Sequence, residues 1–208
     1  SQVIRRQNAA TTRRILLLNA SPRVHGLISQ WMETFESTAR QAGFTTECLS
    51  VARLEVAPCA GCMTCRASKK CIHPDDGAQR VLRAMQQAGI IIIGSPCYWG
   101  NMPGQLKALF DRIVYGLIDE GPHGIPRPRM KGKQAVIVTT CTTPWPFNIL
   151  LGQSQGTVKA LRGILKWSGI HVVATIQQGG TRHTRTLSEK EHNRCRQIIK
   201  RLKNRKKP

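Results

Sequence analysis

The sequence predicts an α/β fold in which one parallel, five-stranded sheet is covered by helices on both faces. Five short apolar runs alternate with longer segments of helical spacing, which is the pattern of successive strand–helix units. The runs are apolar without interruption, as strands buried on both faces require. The 208 residues contain no internal repeat or linker, so a single domain of this kind is expected.

The predicted elements follow from the apolar pattern and from the residues that end it. Each strand is a run rich in apolar residues, and each helix has apolar residues three or four positions apart. The predicted strands are 15–18, 45–49, 90–93, 135–138 and 170–176. The predicted helices are 27–42, 75–85, 104–115, 156–167 and 188–203, and the Gly- and Pro-rich segment 121–133 is predicted to be a loop. Asp75 and Asp76 supply the N-cap of the second helix.

The formal net charge of +21 is concentrated at the two ends of the chain. Residues 194–207 carry eight Lys and Arg and no acid, and residues 1–14 carry four Arg and no acid. We therefore divide the chain into a basic N-terminal extension at 1–14, one domain at 15–193, and a basic C-terminal helix end and tail at 194–208. Such a charge attracts anions of any kind. No aromatic interleaving or groove-reading motif accompanies it, so dedicated nucleic-acid binding is disfavoured.

The cysteine content predicts a reducing, cytoplasmic setting. Eight cysteines occur in a chain whose first apolar run, 15–18, is too short for a signal peptide. Thiols or metal ligands are therefore expected rather than a disulfide framework. No stretch approaches about eighteen uninterrupted apolar residues, so no membrane span is expected.

A ligand site is predicted at the carboxyl edge of the sheet. In the five-stranded doubly wound order 2-1-3-4-5, the strand order reverses between strands one and three, and ligands bind at that point. The loops that follow residues 18 and 93 meet there, and they are the two most unusual loops of the sequence.

The first of these loops, 19–26, has the composition of a phosphate-binding turn. Small residues at a strand-to-helix turn let backbone N–H groups approach a phosphate, and the helix N-terminus favours its charge. Ser21 can donate through its hydroxyl group, and Arg23 can form charge-assisted bonds to a phosphate. The sequence is neither a Walker A loop nor a dinucleotide-binding glycine motif, and an ordinary turn with a surface arginine is the competing interpretation.

The second loop, 94–104, combines Gly and Pro with two aromatic residues. Its composition predicts a rigid turn whose backbone N–H groups point outward. Tyr98 and Trp99 offer flat surfaces for a planar ring. Core packing of the two aromatics and turn formation by Asn101 are the competing interpretations.

Four cysteines occupy only thirteen residues, separated by two, two and five residues: Cys59, Cys62, Cys65 and Cys71. Cysteines this close cannot all pair comfortably as disulfides, but they can converge on one inorganic centre. Three interpretations remain open. They are an iron–sulfur cluster, a set of redox-active or merely reduced thiols, and zinc, whose usual Cys-x-x-Cys pairs are separated by longer spacers.

Three motifs resemble the NADPH-dependent FMN reductase family. They are Ser21-Pro22-Arg23-x-x-Gly26, the four-cysteine run followed by Asp75-Asp76, and the block from Ser95-Pro96-x-Tyr98-Trp99-Gly100-Asn101 to Asp111-Arg112. The cysteine run narrows the resemblance to the iron–sulfur flavoprotein branch of that family. The resemblance extends over residues 14–180, and the block 95–112 is its most specific part.

This resemblance implies a flavodoxin-like fold that holds FMN without a covalent bond. The implied FMN contacts lie in three loops that follow strands: Ser21, Arg23, Gly26, Leu27, Ile28 and Ser29; Pro96, Cys97, Tyr98, Trp99, Gly100 and Asn101; Thr140, Cys141 and Thr142. Backbone amides of the second loop would face the N5 and O4 edge of the flavin. The implied ligands of a [4Fe–4S] cluster are Cys59, Cys62, Cys65 and Cys71.

The sequence departs from the family pattern at two places near the implied flavin. Members commonly have Gly-Asn-Thr or Gly-Asn-Ser where this chain has 26–29, Gly-Leu-Ile-Ser. The apolar replacements remove polar donors, which predicts weaker FMN binding. Cys97 replaces a common small aliphatic residue, so Cys97 and Cys141 would both lie near the flavin.

The resemblance implies an oxidoreductase that takes electrons from NAD(P)H or a reduced protein. The acceptor would be a quinone-like, nitro, azo or protein molecule, and the flavin rather than a catalytic side chain would carry the chemistry. A filled cluster would exchange single electrons with the flavin, and an acidic redox protein such as ferredoxin would suit the basic surface. Homo-oligomers are expected from the family. The competing hypothesis is a flavodoxin-like binding module that uses its basic ends on nucleic acid or an acidic protein.

Overall fold

The computed structural model describes residues 13–204 and confirms the predicted α/β architecture. The main sheet contains β1 (Arg14–Asn19), β2 (Thr45–Ser50), β3 (Ile90–Pro96), β6 (Gln134–Thr140) and β7 (His171–Gln178). All neighbouring strands are parallel, and their order, β2-β1-β3-β6-β7, is the predicted order 2-1-3-4-5. Residues 1–12 of the predicted N-terminal extension and residues 205–208 of the predicted tail lie outside the described residues, so the domain division stays a prediction.

Helices cover both faces of this sheet, as the uninterrupted apolar strands require. They are α1 (Leu27–Gln41), α2 (Thr64–Ser68), α3 (Gly77–Gln87), α4 (Gly104–Arg112), α5 (Val114–Leu117), α6 (Phe147–Leu150), α7 (Gln153–Ser168) and α8 (Glu189–Asn204). Alternate strand residues enter two apolar layers. Leu16 and Ile91 pack on the side of α3, α4 and α7, whereas Ile15 and Ile90 pack on the side of α1 and α8.

The N-cap of α3 is the predicted one. The Asp76 side chain accepts from the Ala78 amide at 2.8 Å, and the Gln79 side chain accepts from the Asp76 amide at 3.1 Å. These two contacts form a capping box, which satisfies two amides at the helix start. The cap fixes the direction in which the chain leaves the four-cysteine segment.

The segment 121–133 was predicted to be a loop, but part of it forms a strand. Strand β5 (Pro126–Pro128) pairs antiparallel with β4 (Ile118–Glu120). Strands of three residues show no apolar alternation, which is why composition alone predicted a loop. The pair carries two ion pairs back to the cysteine segment, one between Arg66 and Glu120 at 3.0 Å and one between Lys69 and Asp119.

Two predicted helix boundaries are also displaced. The predicted helix 104–115 ends at Arg112 and is followed by the short α5, because the chain leaves helical geometry at Ile113. Helix α7 begins at Gln153, three residues before the predicted start, after a left-handed Gly152. Within residues 13–204, no helix combines the length and the apolar character needed to cross a membrane.

Candidate functional site

The loop after β1 is organised by Asn19, the last residue of that strand. Asn19 Oδ1 accepts from the Ser21 amide at 3.0 Å, and Asn19 Nδ2 donates to Ser29 Oγ at 3.0 Å. Ser29 Oγ in turn donates to the Arg23 carbonyl at 2.8 Å. These bonds close the loop on itself and leave the exposed Arg23 guanidinium outside the network. Asn19 was not among the predicted site residues.

The loop after β3 is a tight turn. Tyr98 and Asn101 exchange two backbone hydrogen bonds, of 2.8 and 3.0 Å, and the two residues between them have φ of +53° at Trp99 and +69° at Gly100. Positive φ at both central positions defines a type I′ turn, which glycine tolerates and tryptophan does not favour. The Trp99 side chain is fully exposed at the tip.

Helix α7 holds this turn in place by a close backbone approach. A Cβ atom at Gly156 would collide with the carbonyl group of Gly100. Gly156 therefore lets the first turn of α7 pack directly against the loop after β3. The same helix end contacts Cys97, whose Sγ donates to the Gln153 carbonyl at 3.0 Å.

A third loop joins the site from the end of β6. The Thr181 amide and hydroxyl both donate to the Cys141 carbonyl, at 3.1 and 2.9 Å. This anchors the segment 181–185, which contains Arg182 and Arg185, beside the loops after β1 and β3. Burial, followed by the charge of Cys97, raises the pKa of the Cys141 thiol.

These loops surround one cavity of about 680 Å³, which we call the carboxyl-edge cavity. Its lining includes most of the FMN contacts that the resemblance implied: Ser21, Arg23, Gly26, Leu27, Ile28, Pro96, Cys97, Tyr98, Thr140, Cys141 and Thr142. Four implied contacts are not part of the lining: Ser29, Trp99, Gly100 and Asn101. Whether these residues touch FMN stays a prediction.

Several lining residues were missed from the sequence: Gln153, Thr181, Arg182, Thr184 and Arg185. The Gly-Gly pair after β7, followed by a Thr- and Arg-rich segment, was the available signal, because it marks a turn at the same edge of the sheet. The lining, within the described part of the chain, holds three arginines and no carboxylate. A cavity of this charge suits a phosphorylated ligand.

The four clustered cysteines line a second cavity, of about 320 Å³, beside the C-terminal end of α4. We call it the four-cysteine pocket. The chain around it adopts left-handed backbone at Gly61, Met63 and Lys69, with φ of +67°, +61° and +55°. Such conformations in non-glycine residues cost about 1 to 2 kcal/mol each and concentrate at functional sites. Hydrogen bonds from the side chain and backbone of Thr64 lower the pKa of Cys62, whereas burial raises that of Cys65.

Arg112 forms the inner wall of the four-cysteine pocket. Its side chain is 0% exposed. Nη1 donates to the Ala57 carbonyl at 2.7 Å and to Asp76 Oδ2 at 2.9 Å. Burial opposes the charge of Arg112, but the hydrogen bond to Asp76 and the nearby negative charges of Asp76 and Cys71 outweigh it and raise the pKa of the guanidinium. Burial likewise opposes ionisation of Asp76, yet bonds from Ala78 and Arg112 hold its pKa below the usual value.

Polar atoms at this wall are left without partners. Nε and Nη2 of Arg112, and Nε2 of His73, are buried and have no hydrogen-bond partner among residues 13–204. In the same described ranges, no three His, Cys, Asp or Glu side chains are assembled at metal-binding distance. The pocket thus brings together four thiols and buried nitrogen atoms that have no partner among the described residues. The four thiols do not converge on one metal-binding position.

Comparison with known proteins identifies the family to which this chain belongs. The family model for the NADPH-dependent FMN reductases matches residues 13–180, so the chain belongs to that family. An NAD(P)H:quinone oxidoreductase from Methanothermobacter marburgensis is 19% identical, with a TM-score of 0.73 over 94% of this chain and 98% of that chain. An FMN-dependent NADH-azoreductase from Bacillus anthracis, solved with FMN, is 15% identical, with a TM-score of 0.71 over 92% and 99%. At such identities the two structures show the shared fold.

The relatives with the higher sequence identities are iron–sulfur flavoproteins. One from Methanosarcina thermophila is 43% identical over 76 residues, which are 36% of this chain and 39% of the relative. One from Methanocaldococcus jannaschii is 35% identical over 99 residues, or 48% and 51% of the two chains. The matches thus span about half of these relatives or less. They support the resemblance to the iron–sulfur flavoprotein branch of the family.

Proposed function

We propose that this chain is an FMN-dependent oxidoreductase that takes electrons from NAD(P)H and passes them to a quinone-like, nitro, azo or protein acceptor. The carboxyl-edge cavity is the observation that carries the proposal. It lies at the switch point of the sheet, where ligands of this fold bind. It joins a small-residue turn with Arg23 to a loop that presents the Tyr98 ring.

The residues of this cavity have separate roles in holding FMN. Ser21 and Arg23 lie in the loop before α1 and bind the phosphate, to which the helix N-terminus adds favourable charge. Arg182 and Arg185 add positive charge from the facing segment. The half-exposed Tyr98 ring supplies a flat wall for the isoalloxazine. The bound FMN supplies the hydride and electron-transfer chemistry.

Activity and binding are tested together with two arginine variants. Arg23→Ala removes one charge-assisted bond to the phosphate, which corresponds to about tenfold weaker FMN binding. Arg80→Ala removes the same charge from the exposed face of α3 and should leave FMN affinity unchanged. FMN affinity is measured by fluorescence titration, and NADPH oxidation is followed with a quinone and an azo dye as acceptors. An equal loss of FMN affinity in both variants would contradict the proposal. So would the absence of FMN-dependent oxidation of NADPH or NADH.

The four-cysteine pocket is proposed to hold a [4Fe–4S] cluster on Cys59, Cys62, Cys65 and Cys71. Four thiolates are the usual ligand set of such a cluster. The free N–H groups of Arg112 fit it as well, because hydrogen bonds to cluster sulfurs tune a cluster and satisfy buried donors. When present, the cluster supplies single-electron transfer. Arg112 holds positive charge beside Cys71, and the β4–β5 pair covers the pocket from the opposite side.

Iron and acid-labile sulfide analysis of anaerobically purified protein tests this cluster. The proposal predicts about four irons and four sulfides per chain, and Cys62→Ser should lose most of them. Cys48→Ser is the matched control, because Cys48 lies on β2 outside the pocket. One zinc per chain, or four thiols that react freely without metal, would contradict the cluster and restore one of the other interpretations.

A second copy of the chain is proposed to cover exposed apolar residues beside the carboxyl-edge cavity. Trp99, Trp145, Phe147, Leu150 and Leu151 are each more than half exposed, and Gly100 approaches Gly152 directly after Leu151. An apolar patch of this kind marks an interface more often than a free surface. Light scattering should give an oligomer for the native chain and a smaller species for Leu150→Glu. A monomeric native protein would contradict the oligomer.

An acidic redox protein is the proposed macromolecular partner, because the chain is strongly basic. The chain contains 32 Lys and Arg but only 11 acidic residues. Association driven by such charge weakens steeply with ionic strength. Electron transfer to a ferredoxin should therefore fall as salt is raised, while transfer to a neutral quinone should not.

A further inference from the structure

Cys97 and Cys141 lie opposite one another at the ends of neighbouring strands. The β3–β6 ladder pairs Ser95 with Thr139 and Pro96 with Thr140. The Cys97 amide extends the ladder by donating to the Thr140 carbonyl at 3.0 Å. The next pair in this register is Cys97 with Cys141. Because side chains alternate along a strand, both cysteines leave the sheet on the same face.

Each thiol also donates to a backbone carbonyl next to the cavity. Cys97 Sγ donates to the Gln153 carbonyl at 3.0 Å, and Cys141 Sγ donates to the Thr143 carbonyl at 3.5 Å. Both cysteines line the carboxyl-edge cavity. Neighbouring strands are about 4.8 Å apart, which lies within the Cα separation of about 4.4 to 6.8 Å that a disulfide spans.

We propose that Cys97 and Cys141 form a redox-active dithiol–disulfide couple within the carboxyl-edge cavity. The couple closes by exchange with a low-molecular-weight disulfide and is reopened by reduced flavin. The reopening step rests on the proposed function, because it requires FMN in the same cavity. The closing step needs only the two thiols and the small disulfide.

Exposure sets the order of the closing step. Cys97 is partly exposed, whereas Cys141 is only 7% exposed, so an external disulfide R–S–S–R meets Cys97 first. The Cys97 thiolate bonds to one sulfur, and the other leaves as RS⁻. Cys141 then attacks the Cys97 sulfur and releases the second RS⁻. The two protein thiols lose two electrons and two protons, and R–S–S–R becomes two RSH.

The electrostatics of the pair favour this order. Burial raises the pKa of the Cys141 thiol, and the negative charge of Cys97 raises it further. Once Cys97 carries the R–S group, that charge is gone, so Cys141 ionises more readily at the moment when its attack is needed.

Reopening reverses the electron balance. The Cys97–Cys141 disulfide takes up two electrons and two protons, for which bound reduced FMN would supply a hydride equivalent and solvent one proton. The S–S bond breaks, two thiols form, and oxidised flavin remains. Since the disulfide would face an open cavity rather than the core, it belongs to the accessible class that is reduced most readily.

Peptide mapping tests the closing step directly. Trypsin yields peptides 84–107 and 134–159, each of which contains a single cysteine of the pair. The protein is exposed to hydroxyethyl disulfide without air, blocked with N-ethylmaleimide in denaturant, and digested. A linked 84–107/134–159 species is expected in the native chain and in Cys48→Ser, and its absence is expected in Cys97→Ser and Cys141→Ser. Mixed disulfides that persist at Cys97, or alkylation of both cysteines, would overturn the couple.

The reopening step is tested on the same linked species. The oxidised protein is loaded with FMN and the flavin is photoreduced with EDTA, so that no nicotinamide is needed. The linked species should fall at least tenfold, whereas illumination without FMN should leave it intact. Bleached flavin with the linked species retained would overturn the reopening step and leave FMN binding standing. Failure to bind FMN would overturn the proposed function and the reopening together, and the first experiment would still decide the couple.

Discussion

Arg112 Nη1 donates to Asp76 Oδ2 at 2.9 Å, and this buried ion pair joins the four-cysteine segment to the sheet domain. Asp76 also caps α3, so one carboxylate fixes both a helix start and the guanidinium behind the cysteines. The bond from Arg112 to the Ala57 carbonyl, at 2.7 Å, ties down the chain just before Cys59. These bonds together hold the wall of the pocket in place.

Asp76→Asn should destabilise the protein by about 3 kcal/mol, because it leaves the buried Arg112 charge without its partner. Asparagine remains a good N-cap, so the loss reports the ion pair rather than the helix start. Asp75→Asn is the matched control, since the Asp75–Arg83 pair is more than half exposed and should change stability by less than about 1 kcal/mol. The free energy of unfolding of both variants is measured by urea titration. Equal losses of stability in the two variants would refute the importance of the buried pair.

Gly156→Ala should displace the turn at Trp99 and Gly100, because the added Cβ collides with the Gly100 carbonyl. We expect a loss of about 2 kcal/mol in stability and weaker FMN binding. Gly163→Ala, in the same helix, meets nothing within 4 Å and should instead stabilise the protein by up to about 1 kcal/mol. Thermal unfolding and FMN titration of both variants provide the test. Unchanged FMN affinity in Gly156→Ala would show that the turn is not part of the FMN site.

Alkaline pH should destabilise the protein through Cys195. Burial raises the pKa of this thiol from 9.0 to about 12. Between these values the unfolded chain has lost the proton that the folded chain keeps. The free energy of unfolding therefore falls as pH rises, by at most about 1.4 kcal/mol per pH unit for this thiol.

Cys195→Val isolates this titration, because valine fills the fully buried site without ionising. The free energy of unfolding is measured at intervals from pH 8 to pH 11 for both proteins, and the native chain should lose stability more steeply. Curves that run parallel throughout would show that the thiol does not distinguish the folded from the unfolded state.

The sheet order and the two loops at its switch point were predictable, because uninterrupted runs such as 90–93 report burial on both faces. The inward orientation of the Arg112 side chain was not predictable. A single arginine in the amphipathic helix α4 gives no sign that its side chain turns inward to Asp76, 36 residues away. The β4–β5 pair was equally hidden, since its three-residue strands are held by pairing and ion pairs rather than by apolar pattern. The segment 181–185 is held at the cavity by tertiary hydrogen bonds, from Thr181 to the Cys141 carbonyl and from Gln30 to the Arg185 carbonyl.

FMN binding at the carboxyl-edge cavity is the central claim, and a fluorescence titration of the native chain with FMN tests it most directly. The account predicts saturation at one FMN per chain, quenching of flavin fluorescence, and a weaker affinity in Arg23→Ala but not in Arg80→Ala. No saturable binding, or binding that both variants weaken equally, would contradict it. The basic binding module would then become the better explanation of the chain.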